Sequence, residues 1–85
     1  MKIVFEKKAI KFLKSIQKSQ RDNILNAIEG LTQKPAVGDI KKMSGFENKY
    51  RLRVGKYRII YKYDTDNNIE VLLIMDIGSR GDIYK

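Results

Sequence analysis

Apolar and charged residues alternate through Tyr50-Arg51-Leu52-Arg53-Val54 and again through Tyr57-Arg58-Ile59-Ile60-Tyr61, on either side of Gly55-Lys56. Period-two alternation in runs rich in Tyr, Val, Ile and Leu predicts two strands. A two-residue loop that begins with Gly predicts a type II′ hairpin turn. That loop sets a register in which Val54 faces Tyr57, Arg53 faces Arg58, Leu52 faces Ile59 and Tyr50 faces Tyr61. Strand side chains alternate faces, so Tyr50, Leu52, Ile59 and Tyr61 share one side. Arg53 and Arg58 meet on the other, with Arg51 beside them. Like charges directly across a strand pair destabilise it. Three arginines there do nothing for folding, which makes the face a candidate anion site.

The rest of the pattern supplies the elements around this hairpin. Lys2 to Phe5 predicts a short strand with Ile3 and Phe5 on one side. Ala9, Phe12, Leu13 and Ile16 fall at helical spacing and predict a helix from about Glu6 to Gln17. Ser19-Gln20-Arg21-Asp22 reads as a capping box that opens a second helix, whose apolar stripe is Ile24, Ala27, Ile28 and Leu31. Lys34-Pro35 ends it, because the residue before proline avoids the α region. With so short a joint near Ser19, the two helices form a helical hairpin. Ala36 to Asn48 reads as irregular, with Met43 and Phe46 pinning the loop to the core. Asp64-Thr65-Asp66-Asn67-Asn68 is a dense turn signal. Ile69 to Ile77 is a further strand, apolar on both faces over Val71-Leu72-Leu73-Ile74-Met75, as a central buried strand is. Gly78 to Lys85 closes the chain with a sharp bend around Arg80, and Ile83 returns to the sheet.

The order is β-α-α-β-β-β. Consecutive strands without a crossover pair antiparallel. The predicted fold is therefore α+β, a helical hairpin packed on one face of a small, curved, mainly antiparallel sheet. Arg51, Arg53 and Arg58 lie on its uncovered face.

Composition narrows the chemistry. The 85 residues suit one domain, 1–85. A chain of this size buries only about 60–65% of its unfolded surface, so a shallow groove is expected as the working surface. Eighteen Lys and Arg against ten Asp and Glu give a formal charge of +8. That favours nucleic acid, an acidic membrane surface or an acidic protein as partner. Cysteine and histidine are both absent, which removes disulfides, Cys-based metal sites and the commonest neutral-pH base. No metal and no cofactor is expected. No apolar run nears the roughly 20 residues of a membrane span, and Met1 to Lys8 lacks the apolar core of a secretory signal. The expected location is the cytoplasm, with no membrane partner. Lys7, Lys11, Lys14 and Lys18 recur at spacings of four and three, as a solvated helix face or as a row of point charges along a nucleic-acid backbone.

Arg80 and Tyr84 follow the last strand. If that strand neighbours the hairpin, Arg80 joins Arg51, Arg53 and Arg58. Guanidinium forks match phosphate oxygens in bidentate fashion. Tyr84 offers a ring for base stacking and a hydroxyl for proton transfer.

The run Tyr50 to Tyr61, the buried strand and Gly78-Ser79-Arg80-Gly81-Asp82-Ile83-Tyr84 together resemble the RelE/ParE toxin superfamily of type II toxin–antitoxin systems, closest to its RelE branch. Lys41-Lys42-Met43-Ser44-Gly45 resembles the basic element that precedes the family's hairpin. The resemblance spans almost the whole chain. It implies a ribosome-dependent endoribonuclease, an mRNA interferase that cuts in the A site without metal, the ribose 2′-OH attacking the adjacent phosphate. It assigns catalysis to Arg51, Arg53, Arg58, Arg80 and Tyr84; beside it, the charge pattern makes Lys7, Lys11, Lys14, Lys18, Lys41, Lys42 and Lys56 the candidate RNA or ribosome contacts. It also implies a cognate RelB-like antitoxin, acidic or amphipathic, with operator DNA bound only through the antitoxin complex. Two departures concern the base. Arginines stand at 51 and 53 where relatives often carry lysine, and Ser79 stands where many carry histidine. Tyr84, Lys85 and Lys42 are the remaining candidates. Two other functions are compatible with this fold: a ParE-like inhibitor of DNA gyrase, and a non-catalytic RNA- or ribosome-binding module.

Overall fold

The computed structural model describes residues 1–43, 45 and 48–79. Its elements in chain order are β1 (Lys2–Phe5), α1 (Lys7–Ser15), α2 (Lys18–Glu29) with a 3₁₀ turn at Gly30–Thr32, β2 (Asp39–Lys42), β3 (Tyr50–Val54), β4 (Tyr57–Asp66) and β5 (Ile69–Ser79). The five strands form one sheet in the order β1-β5-β4-β3-β2. All pairings are antiparallel except β1 with β5, which is parallel because the two helices carry the chain across. The α+β class and the helices packed on one face of the sheet are as the sequence predicts.

The hairpin register also matches: Val54 pairs with Tyr57, Arg53 with Arg58, Leu52 with Ile59 and Tyr50 with Tyr61. Gly55 carries φ +59 and Lys56 is not in the left-handed region, as a type II′ turn requires. Leu52, Ile59 and Tyr61 are buried on the helix side, in one core with Ala9, Leu13, Ile24, Ile28, Leu31, Leu72 and Ile74.

Four local expectations are corrected. Residues 36–48 are not all irregular: Asp39–Lys42 forms the edge strand β2, with Asp39 opposite Arg53 and Lys41 opposite Arg51. A four-residue strand with one apolar side chain has no alternation to detect, and lysines on an edge strand guard it against further pairing. The capping box does not form. The second helix begins at Lys18 behind Gln17, with no side-chain cap, and Asp22 instead accepts from Lys18 Nζ at 2.7 Å. Arg21 governs this joint. Its Nε and Nη2 donate to the carbonyls of Leu13 and Ile16 at 2.8 and 3.1 Å, satisfying acceptors left open at the end of α1. The helix ends before Lys34-Pro35, at Gly30, where a Cβ would stand 2.9 Å from the Val37 carbonyl oxygen. The final turn is narrower than the Asp64–Asn68 signal: β4 continues to Asp66, and only Asn67 and Asn68 turn, with φ 51 and 66. That pair of positive φ values suits a type I′ loop.

β5 is central, between β1 and β4. Leu72 and Ile74 are buried beneath the helices, whereas Val71, Leu73 and Met75 are half-buried on the side without a helix layer. Met43 is half-buried, and its N–H donates to the Lys49 carbonyl at 3.0 Å. Phe46 and Ile83 lie outside the described residues.

Tyrosines seal one end of the core. Tyr50 stacks on Tyr61 at 5.5 Å, and Tyr63 meets both edge-on. The Tyr63 hydroxyl donates to the Leu31 carbonyl at 2.8 Å, tying β4 to the turn after α2. Burial foremost, then the neighbouring phenol, raises the ionisation of Tyr61 and of Tyr63 above the ordinary tyrosine range.

Replacing Leu72 by Ala removes a fully buried side chain from the core and is expected to cost about 2–5 kcal/mol in denaturant unfolding. Ile69→Ala, at an exposed strand end, stays within about 0.5 kcal/mol. The tyrosines give a pH prediction. A phenol whose native pKa is raised holds its proton more tightly in the folded chain, so its stabilisation is intact below about pH 10 and is lost as the pH climbs beyond it. Phenolate absorbance on alkaline titration should therefore show two late-titrating tyrosines, and Tyr63→Phe should remove one of them.

Candidate RNA-binding and catalytic face

Strand parity places Asp39 and Lys41 of β2, Arg51 and Arg53 of β3, and Arg58 of β4 on the face that carries no helices. Two of the cross-strand pairs are cation against cation: Arg53 with Arg58, and Lys41 with Arg51. Each opposes pairing. The face is held together despite them by burial on the other side, and one carboxylate lies among the cations.

That carboxylate is Asp39. Its Oδ2 accepts from Arg53 Nε at 2.6 Å, and its Oδ1 from Arg51 Nη2 at 3.3 Å. Asp39 is directly opposite Arg53, and Arg51 reaches it on the diagonal, within range of a long side chain. The Arg51 side chain is only 16% exposed, and its buried Nε has no hydrogen-bond partner among the described residues. An unpaired buried guanidinium N–H is costly to leave unmet. Arg51 is therefore a donor with capacity to spare. Arg58 is buried at 8% exposure. Its Nη1 donates to the Tyr57 and Gly55 carbonyls at 3.2 and 3.4 Å, which ties the guanidinium to the hairpin end.

Asp39 is the site residue that sequence reasoning missed. Glu70 and Asp76, on the strand beyond the hairpin, are engaged elsewhere: Glu70 pairs with Lys34 at 3.0 Å and Asp76 with Lys8 at 3.3 Å. The available signal was electrostatic, since three clustered arginines need a counter-charge. Only the pairing of β2 identifies which acid supplies it.

The lysines divide. Lys41 shares the arginine face, whereas Lys42, opposite Tyr50, projects from the other side of β2. Lys56 sits at the hairpin tip with its ammonium 5.4 Å from the Tyr57 ring, a cation–π arrangement. Lys7, Lys11 and Lys14 are exposed along α1 and, with Lys8 and Ile10, line a shallow open depression. Lys18 does not extend this row on the same helix. It begins α2 and is paired with Asp22, because the chain turns at Ile16-Gln17. Arg80, Tyr84 and Lys85 lie outside the described residues.

Beside the arginines, a cleft of about 250 Å³ is lined by Met43, Ile60, Met75, Lys8 and Asp76 among others. Ile60 is opposite Arg51 on one side and Asp76 on the other, so cleft and arginines are contiguous. A cleft this size is smaller than the roughly 300–1,000 Å³ of drug-sized ligand sites. No group of acidic side chains that could hold a metal ion occurs among the described residues, and no helix there is long and apolar enough to cross a membrane. Chemically, the face can bind a phosphate through planar donors and stabilise negative charge that develops on it.

The chain is similar to known toxins over nearly its whole length. Residues 3–84 match the family model of the ParE toxin of the type II toxin–antitoxin system parDE. Toxin RelE3 of Methanocaldococcus jannaschii is 37% identical over 73 residues, covering 81% of this chain and 83% of the relative. Two solved structures superpose over 95% of this chain: the archaeal RelE–RelB complex from Pyrococcus horikoshii OT3, with TM-score 0.74, 27% identity and 96% of that chain covered, and the RelB–RelE complex from Methanococcus jannaschii, with TM-score 0.70, 30% identity and 94% covered. On the extent of these matches, the chain belongs to the RelE/ParE superfamily of type II toxin–antitoxin toxins.

Proposed function

We propose that this toxin is a ribosome-dependent endoribonuclease that cuts mRNA in the A site. The observation that carries the reading is the arginine face itself: Arg51, Arg53 and Arg58 are gathered at a cost to strand pairing. The reaction needs no metal. The ribose 2′-OH attacks the adjacent phosphate, the 5′-oxygen of the next nucleotide leaves, and the products are a cyclic phosphate and a free 5′-OH. The toxin aligns the attack and stabilises charge on the phosphorane-like transition state. Arg51 and Arg53 seat the phosphate, Arg58 and Arg80 add charge, and Tyr84 stacks on a base or moves a proton. Lys41 extends the cationic face, while Lys7, Lys11, Lys14, Lys18, Lys42 and Lys56 contact RNA or ribosome. Tyr61 and Tyr63 are excluded as bases, since both hold their protons tightly on the covered side of the sheet.

The partner is an acidic or amphipathic antitoxin that covers the basic surface. Relatives solved in complex with RelB support this. Operator DNA would be bound through the antitoxin, and the toxin would act in the cytoplasm, where translation takes place. A second reading, a ParE-like gyrase inhibitor, is favoured by the match to the ParE toxin model.

Expression of the toxin should create new 5′ ends at A-site codons in primer extension on a translated mRNA. Arg53→Ala or Arg58→Ala should lower cleavage about 10²–10³-fold. Growth arrest with intact mRNA and accumulating double-strand breaks would instead identify gyrase as the target. Ribosome binding without cleavage would leave a non-catalytic binding module. The antitoxin complex should weaken as salt rises. A complex indifferent to salt would show that its affinity is not electrostatic.

A further inference from the structure

The arginine face already holds an anion of its own. Each oxygen of the Asp39 carboxylate takes one guanidinium, Arg53 at 2.6 Å and Arg51 at 3.3 Å. Two anionic oxygens engaged by two planar cations is also how a phosphate would be held. We propose that Asp39 is an internal stand-in for RNA phosphate: it occupies the Arg51–Arg53 seat in the free toxin, and an entering phosphodiester displaces it. This rests on the reading of the face as an RNA-phosphate site.

Three features favour displacement over a fixed brace. Asp39 and Arg53 are 45% and 50% exposed, so their attraction is screened and contributes little to stability. Asp39 belongs to a four-residue edge strand, where a side chain can swing into solvent without disturbing the core. Among the described residues, Arg51 keeps a buried Nε unmet while bonded to Asp39 only at 3.3 Å. A phosphate, with more acceptor oxygens than a carboxylate, can satisfy both that donor and Nη2. In the free chain, Asp39 meanwhile offsets the repulsion of Arg53 by Arg58 and of Arg51 by Lys41, so the seat is already formed when RNA arrives.

The test is binding of the full chain to a short labelled single-stranded RNA without ribosomes, by fluorescence anisotropy across a salt series. Asp39→Asn should tighten binding about three- to fivefold. It should also steepen the dependence of log K on log salt by about 0.7 for each further phosphate neutralised. Glu70→Gln changes net charge equally but only frees Lys34, and should leave both quantities unchanged. Adding Arg53→Gln to Asp39→Asn should abolish the tightening. Asp39→Ser, checked with the others by thermal melting, reproduces the effect if the amide disturbs β2. Binding by Asp39→Asn that is unchanged or weaker, an equal tightening from Glu70→Gln, or a tightening that survives loss of Arg53 would each overturn the proposal. Because no ribosome is present, RNA binding that behaves as expected beside uncut mRNA in translation would overturn only the cleavage reading.

Discussion

Strand parity across β3 and β4 is the constraint on which the rest of this molecule depends. Leu52, Ile59 and Tyr61 must face the helices, and their burial fixes the register, because a slip of one residue would turn every one of them outward. The same register forces Arg53 against Arg58. Apolar burial on one side thus bears the cost of charge crowding on the other. Gly55, at φ +59, closes the loop that makes this register the short path between the strands.

Charge crowding is relieved locally in two ways. Arg58 folds back onto the hairpin carbonyls, and Asp39 arrives from the neighbouring strand to take Arg53 and Arg51. Neither device neutralises the face, since Asp39 pairs with only two of the cations that β2, β3 and β4 present there. The result is a surface in place before its ligand, which lowers the ordering cost of binding an anion. Lys7, Lys11 and Lys14 ride on the helix layer, which packs on the sheet face opposite the arginines, whereas Lys8 at the start of α1 reaches the cleft beside them. A nucleic acid reaching both faces would have to pass around an edge of the domain. A large RNA assembly can do so more readily than one short strand.

Several elements were legible because their signals are local. The hairpin register follows from loop length and alternation, and the buried residues of both helices follow from period 3.6. The cationic face follows from parity once the apolar residues are assigned inward. β2 was not legible: Asp39-Ile40-Lys41-Lys42 carries one apolar side chain and becomes a strand only because β3 offers an unpaired edge. The capping-box reading failed for a related reason. A sequence motif competes with tertiary hydrogen bonds, and Arg21 reaching back to the Leu13 and Ile16 carbonyls set the start of α2 instead.

By itself the sequence determined the α+β architecture, the arginine face and the superfamily, because these rest on periodicities and motifs within short windows. The partnership of Asp39 with Arg51 and Arg53 was decided only in three dimensions, across a strand pair linking residues more than ten apart. So was the separation of Lys41 from Lys42, and of Lys18 from the row on α1. Which cation is paired, and by which acid, depends on edge-strand pairing and on where the chain turns between helices. Both are settled by tertiary contacts whose free energies are too small and too distant in sequence to leave a local pattern.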